Sequence, residues 1–261
     1  MRLSDFLCLP VQASERASAI DTIIEYVHWL MLLLFLGWGF YFIYTLFRFR
    51  ASKNPKASYK GVQNHFSSYI EIAIVIAEVV LLVGISIPFW SNVILSYPDK
   101  KESTIVRVVA QQFAWNVHYP GEDGKFGKTS TKLVNAQTNP IGLDSSDPNA
   151  ADDYTTVNQL NVPVNTPLIV ELSSLDVIHS FGIPEMRVKQ DVLPGIMVPT
   201  WFKPIKEGTF EIMCAQLCGI GHYRMKGYVN VMSPAKFDEW KQAQAAAVAE
   251  TESADGDDFW G

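Results

Sequence analysis

Cysteine is scarce in this chain of 261 residues: Cys8 stands alone, and Cys214 and Cys218 sit four residues apart. Three thiols, two of them in one short stretch, exclude a disulfide framework. Histidine is nearly as rare, with five residues, so any metal site has few imidazoles to draw on. Basic surplus is absent as well: Lys and Arg number 21 against 27 Asp and Glu. From Asp99 onward the count is 14 against 21, an acidic balance that suits a basic protein partner and argues against nucleic acid. A secretory signal is missing from residues 1–22. Asp5 breaks the apolar stretch after Arg2, no cleavage site precedes Ser18, and Asp5-Phe6-Leu7 is a poor acylation sequence ahead of Cys8. These residues read as a short interfacial segment.

What the chain does have is long apolar runs. Trp29 to Phe47 is uncharged over nineteen residues and extends back through Tyr26, enough to cross a bilayer as a helix over 23–47. A second run, Ile72 to about Leu95, is broken only by Glu78 and predicts a helix over 71–96, and Pro88 near its far end is tolerable in a membrane helix. Between them, in 48–70, lie Arg48, Arg50, Lys53, Lys56 and Lys60 with no acid before Glu71. Unopposed positive charge in a short loop marks the cytoplasmic side. The two runs therefore form a transmembrane hairpin, with both termini on the other face, the periplasm of a bacterium.

Residues 99–235 change character. Short β-type runs recur at Ile105–Val109, Phe113–Val117, Gln159–Val162, Leu168–Leu172, Ile196–Phe202, Phe210–Met213 and Tyr228–Met232, separated by Pro and Gly turns. That spacing predicts an all-β Greek-key sandwich. A polar segment, Gly121 to Asp153, reads as a surface excursion. In 236–261 a brief amphipathic helix carrying Phe237 and Trp240 runs into an Ala-rich acidic tail, and Glu250 to Asp258 is expected to be disordered.

The chemistry concentrates in Cys214-Ala215-Gln216-Leu217-Cys218-Gly219-Ile220-Gly221-His222-Tyr223-Arg224-Met225, between two strands. Thiolate and thioether are soft ligands and imidazole is intermediate, a mixture that selects copper. The spacing is too tight for a zinc finger, and zinc has no use for Met225. A disulfide between the two Cys would need geometry that such a turn seldom supplies. Two Cys on one loop can bridge two coppers, each then needing its own imidazole. His28 and His65 lie in or beside the apolar half, which leaves His118 and His179 for the second. His179, just beyond the Leu168–Leu172 strand, is the better candidate, and His118 reads as solvent-facing.

The loop CAQLCGIGHYRM, the upstream DVIHSFGIPE, the intervening QDVLPG and the membrane hairpin together resemble subunit II of the haem–copper cytochrome c oxidases, over nearly the whole chain. The resemblance implies a cupredoxin-like sandwich and a binuclear copper centre, CuA. It implies that Cys214 and Cys218 bridge both metals and that His179 and His222 bind one each. Met225 is then the axial ligand of one copper and the backbone carbonyl of Gln216 serves the other. It further implies electron transfer from cytochrome c, soluble or tethered, to a haem-bearing subunit I and its companion subunits, with the oxygen chemistry on that other chain. Three readings compete. A quinol oxidase subunit would lack the copper ligands that are all present here. A nitric oxide reductase with a CuA subunit would look nearly the same. A copper-storage or assembly module would have no use for carboxylates in the membrane.

Two positions depart from the family's commoner pattern. Gln216 stands where a Glu usually helps hold magnesium at the contact with subunit I. The amide keeps the carbonyl for copper but lacks the charge that attracts a hard cation, so magnesium is not carried over. Phe113 stands where the family shows a surface Trp as the electron entry point. Phe113, with Trp115 expected on the same side of the strand, is the candidate docking contact for the donor. Asp176 and Asp191 match acidic positions where such charges steer a basic cytochrome. Glu71, by resemblance, marks the mouth of a proton-uptake route, and Glu78 lies two turns deeper on the same helix face. Glu78 has no family counterpart, and its alternative is a salt bridge to a neighbouring subunit.

Overall fold

A computed structural model describes residues 6–56, 59–61 and 63–257. The first five residues of the expected interfacial segment, residues 57, 58 and 62 of the basic loop, and 258–261 of the tail lie outside the described residues. The chain forms two compact units. One runs through Leu9 and then from Ala19 to Tyr97; the other joins Pro10–Ser18 to the chain from Pro98 onward.

The first unit holds two helices long and apolar enough to cross a membrane, Ala17–Arg48 (α1) and Phe66–Asn92, and the apolar windows of both are unburied in the chain itself. Both begin several residues ahead of the apolar runs, because a helix continues through polar residues such as Asp21 and Glu25 after the lipid-matched stretch has ended. The second is α2 (Phe66–Val79), a π-helical stretch Val80–Ser86, and α3 (Ile87–Leu95). Pro88 sits in the first turn of α3. A proline ring clashes with the carbonyl four residues back, and the widened turn ahead of it accommodates that clash. Glu71 and Glu78 both lie exposed on α2, seven residues and roughly 10 Å of helix apart.

The second unit is a β-sandwich of two five-stranded sheets. One has the order β3-β2-β1-β5-β8 and the other β4-β10-β9-β6-β7. The strands are β1 (Thr104–Gln111), β2 (Ala114–Tyr119), β3 (Tyr154–Val157), β4 (Gln159–Pro163), β5 (Leu168–Ser174), β6 (His179–Ile183), β7 (Val188–Val192), β8 (Val198–Phe202), β9 (Gly208–Cys214) and β10 (Lys226–Met232). Pairing is antiparallel except for β1 with β5 and β4 with β10. Alternation builds the core: Val106, Val108 and Ala110 of β1 meet Val229 and Val231 of β10 in one buried cluster with Trp115, Leu172, Phe181 and Ile212. Strands β3, β6 and β7 have no counterpart in the sequence pattern. β6 is buried along its whole length, so it shows no alternation, and its Ser, Gly and following Pro read as a turn.

Three attachments close the sandwich. Pro10–Ser18, part of the stretch expected to be interfacial, runs as a strap across the β unit. Ala13, fully buried, donates its N–H to the Glu185 carbonyl at 2.9 Å and accepts from Ile205 N–H at 2.9 Å. Ser14 Oγ donates to the Met186 carbonyl at 2.7 Å, and the Arg16 guanidinium lies 3.1 Å over the Trp201 ring. The expected excursion between β2 and β3 is anchored from inside. His118, predicted to face solvent, is fully buried and pairs through Nε2 with Asp153 Oδ2 at 2.7 Å. Alternation turns it away from the core face of Trp115, Val117 and Tyr119, and the excursion buries it from the other side: the Gly127 N–H donates to the same carboxylate at 2.7 Å. Phe126 stands edge-on to His118, and the Arg107 guanidinium lies 4.1 Å from the centroid of the Phe126 ring. Finally α4 (Pro234–Asp257) lays Trp240 against Tyr119 and Tyr154. This helix continues through the stretch from Glu250 that was expected to be disordered, since Ala is the strongest helix former and the alanines run up to it; Asp258 lies outside the described residues.

Removing Asp153 leaves the His118 ring and the Gly127 N–H buried without their shared acceptor. Asp153→Ala should therefore cost about 1–3 kcal/mol of β-unit stability, read from urea unfolding of the full chain by near-UV circular dichroism. A loss below ~1 kcal/mol would show that the pair is dispensable.

Candidate metal centre

Strand periodicity delivers the first thiol. In β9 the inward positions are Ile212 and Cys214, so Cys214 ends the strand pointing into the core. Pairing of Phe181 with Cys214 and of Lys226 with Met213 fixes where β9 stops, and the eleven residues up to Met225 form the connection to β10. That loop folds back on itself. His222 N–H donates to the Gly219 carbonyl at 3.1 Å, Met225 N–H to His222 at 3.2 Å, and Cys214 N–H to Met225 at 3.3 Å. Cys218 and Met225 are thereby carried inward beside Cys214, all three buried.

The donors fall into two sets. Cys214 Sγ lies 3.9 Å from His179 Nδ1 and 3.1 Å from the Gln216 carbonyl oxygen. Cys218 Sγ lies 3.6 Å from His222 Nδ1 and 3.7 Å from Met225 Sδ. The two sulfurs are 3.8 Å apart and both thiols are free. One donor atom each of His179, Cys214 and Cys218 falls within 4.8 Å of the others. All six residues expected around the site are thus brought together. A pair of thiols held close without a bond, with imidazole and thioether beside them, fits a soft or borderline metal such as copper.

His179 owes its orientation to Asp176, whose Oδ1 accepts from Nε2 at 2.9 Å, so that Nδ1 is left facing Cys214. Asp176 also accepts from Gln112 N–H at 2.7 Å and Val177 N–H at 2.7 Å. Burial alone would raise its pKa, yet hydrogen bonds from His179 and the two amides hold it below the ordinary carboxylate value. For His179 burial disfavours the charged ring, but contacts with Cys214 and Asp176 hold it above the usual imidazole value. At Cys214 burial is outweighed by hydrogen bonding from His179 and backbone contacts at Ser180 and Gln216, which bring the thiol down to about 6. Burial and the neighbouring Cys214 push Cys218 up to about 11. The pair gives up one proton readily and holds the second, which a bound cation would displace.

The docking candidates divide. Phe113 is half-buried and packs on the loop: a Cβ at Gly221 would collide with its ring, and the Arg224 guanidinium lies 5.9 Å over it. Trp115, expected beside it on the surface, is fully buried instead, edge-on to His179 with centroids 6.1 Å apart. The turn between β1 and β2 flips the alternation, since Gln111 pairs with Ala114 and the next residue enters the core. Trp115 is therefore no docking contact. Asp176 has an exposed edge, but its carboxylate is committed to the site. Asp191 is exposed on β7, opposite Ser180. Sequence reasoning missed Gln112, whose side-chain Nε2 donates to the Cys218 carbonyl at 2.6 Å. Only its place beside Phe113 could have drawn attention to it.

Carboxylates that hold the far nitrogen of a ligating imidazole typically contribute 10–100-fold to metal affinity. Asp176→Ala should weaken copper binding by about that factor in a competition titration with a chromophoric chelator; unchanged affinity would show that the imidazole holds its orientation unaided.

Comparison with known proteins finds relatives along most of the chain. A family model described as cytochrome C oxidase subunit II, periplasmic domain, matches residues 104–232. The alternative cytochrome c oxidase subunit 2 of Bradyrhizobium diazoefficiens is 30% identical over 226 residues, spanning 86% of this chain and 80% of that protein. Cytochrome c oxidase subunit 2 of Cereibacter sphaeroides is 30% identical over 220 residues, 81% of this chain and 71% of that one. Among solved structures, the periplasmic domain of subunit II of cytochrome oxidase of Bradyrhizobium japonicum is 28% identical, covering 58% of this chain and 98% of that chain with a TM-score of 0.42. The sandwich, the paired apolar helices and this similarity along most of its length lead to one conclusion: the chain belongs to the cytochrome c oxidase subunit II family.

Proposed function

We propose that this chain is the electron-entry subunit of a respiratory haem–copper oxidase and holds a binuclear copper centre, CuA. The observation that carries the reading is the twofold donor set. Two thiols 3.8 Å apart each have their own imidazole nitrogen and their own weaker donor, Gln216 oxygen on one side and Met225 sulfur on the other. One metal would leave half of this set unused. Cys214, Cys218, His179, His222, Met225 and the Gln216 carbonyl would together hold the copper. When bound, a copper pair sharing two thiolates takes up and releases one electron with little change in geometry.

The chain's own residues supply the constancy that such a carrier needs. Asp176 fixes the His179 ring, β9 and β10 pin both ends of the loop, and Trp115, Phe181 and Met225 keep water from the sulfurs. Phe113 covers the loop from outside and is the proposed contact for cytochrome c, with Asp191 contributing negative charge toward a basic donor. The amide of Gln216 carries no charge for a hard divalent cation, so the reading includes no magnesium. Electrons would pass to haem on a separate subunit I.

The two apolar helices support a location in a membrane, which we assign as the bacterial cytoplasmic membrane. Both of their outer ends, Ala17 and Leu95, continue directly into the β unit, and the basic loop lies between their other ends. That arrangement supports a β unit and both termini on the periplasmic side. Glu71 and Glu78 would then face a neighbouring subunit, because a carboxylate in a span is costly when it faces lipid. We assign both to proton uptake.

Electron paramagnetic resonance of the copper-loaded full chain should show one unpaired electron shared equally by two copper nuclei. A signal from a single copper nucleus would overturn the paired centre. Met225→Leu should keep copper bound but shift the reduction potential and slow onward transfer. Glu71→Gln should slow turnover of the assembled oxidase while leaving the copper spectrum unchanged; normal turnover would remove Glu71 from the proton route.

A further inference from the structure

The two halves of the donor cluster arrive from separate parts of the fold. His179 and Asp176 come with the β5–β6 connection, and Cys218, His222 and Met225 come with the β9–β10 loop. The ladder between β6 and β9 ends at Phe181 and Cys214, and Ala215 N–H, donating to the Ser180 carbonyl at 2.9 Å, extends it by one bond. Cys218 lies three residues further along an otherwise outward-facing loop, since Gln216, Leu217, Gly219 and Ile220 are all exposed.

Gln112 spans the gap. It belongs to the other sheet, in the two-residue turn between Gln111 and Ala114. Its backbone N–H donates to Asp176 Oδ2 at 2.7 Å, and its side-chain amide donates to the Cys218 carbonyl at 2.6 Å. Asp176 in turn holds His179, so a continuous line of hydrogen bonds runs from one imidazole to the opposite thiol residue through Gln112. The loop is shaped to receive it. Gly219 has a φ of +131°, in the region that favours glycine, and a Cβ there would stand 2.6 Å from Gln112 Nε2. A Cβ at Gly221 would run into the adjacent Phe113 ring. The backbone on both sides of Gly219 therefore approaches this turn as closely as a chain without side chains can.

We propose that Gln112 is a positioning residue that holds the Cys218–His222 half of the loop in register with the Asp176–His179 half before any metal arrives. This role rests on reading the cluster as a copper site, but its first test needs no copper. A single hydrogen bond of this kind shifts a local opening equilibrium by up to about tenfold. Its loss should free the Cys218 end of the loop and leave Cys214, pinned in β9, in place.

The experiment is alkylation of the metal-free full chain in detergent with iodoacetamide, resolved for each thiol by fragment-ion mass spectrometry. Gln112→Ala and the isosteric Gln112→Glu, which replaces the amide donor with an acceptor, should each raise the rate at Cys218 by up to about tenfold, while Cys214 stays within about twofold. Copper(II) added to the same variants should bind in the same amount per chain with altered hyperfine splitting. An unchanged rate at Cys218 in both variants would overturn the proposal. So would an equal rise at both thiols with a lower unfolding temperature, which marks general loosening. Should the unsubstituted chain take up a single copper, the paired-metal reading fails while the alkylation result still decides the role of Gln112.

Discussion

Two sulfur atoms held 3.8 Å apart, buried and unbonded, are the constraint around which the β unit is arranged. Two buried thiols can share so small a space only while at least one keeps its proton or a cation stands between them. The opposed shifts of Cys214 and Cys218 express that conflict. Every neighbour bears on it, from the Asp176 carboxylate behind His179 to the Gln216 carbonyl against Cys214. The protein does not remove the strain of two like groups; it aims both at one place, where a bound cation would supply the compensation.

Rigidity elsewhere makes this sustainable. A loop of eleven residues would ordinarily be the mobile part of a sandwich. Here the residues that flank it, Cys214 and Lys226, are paired strand residues, and a turn from the facing sheet presses on its middle. The strap of Pro10–Ser18, the His118–Asp153 pair and the packing of Trp240 fasten other parts of the same sandwich. An electron carrier gains from this because whatever geometry does not move on reduction adds nothing to the barrier. No group in the cluster needs to act as an acid or base for such a role, consistent with an oxidoreductase subunit whose bond-making chemistry lies on another chain.

The sequence revealed the site better than it revealed the frame. Donor spacing in the loop, with its soft and intermediate ligands, was enough to gather Cys214, Cys218, His222 and Met225, and the DVIHSF stretch supplied His179. What it could not show were interactions whose partners lie far apart in the chain. Gln112 meets Cys218 across 106 positions and Asp176 across 64, and a glutamine in a turn carries no local signal. His118 looked like a surface residue because its partner, Asp153, lies at the end of a polar excursion that resembles solvent-exposed sequence. Trp115 was placed on the wrong face because a two-residue turn resets alternation, and β6 was hidden because burial on both faces erases the period of two.

Strand β2 separates two regimes of the β unit. Its first residue, Ala114, adjoins the turn that grips the β9–β10 loop, and its last, Tyr119, leads into the excursion, with roughly 17 Å of extended backbone between them. Insertions, deletions or grafted epitopes placed between Lys128 and Asp144 would fall at the remote end of that ruler, outside the anchoring Phe126, Gly127 and Asp153. Lineages could thus lengthen or trim this surface, and experimenters could mount a reporter on it, without displacing a single donor atom.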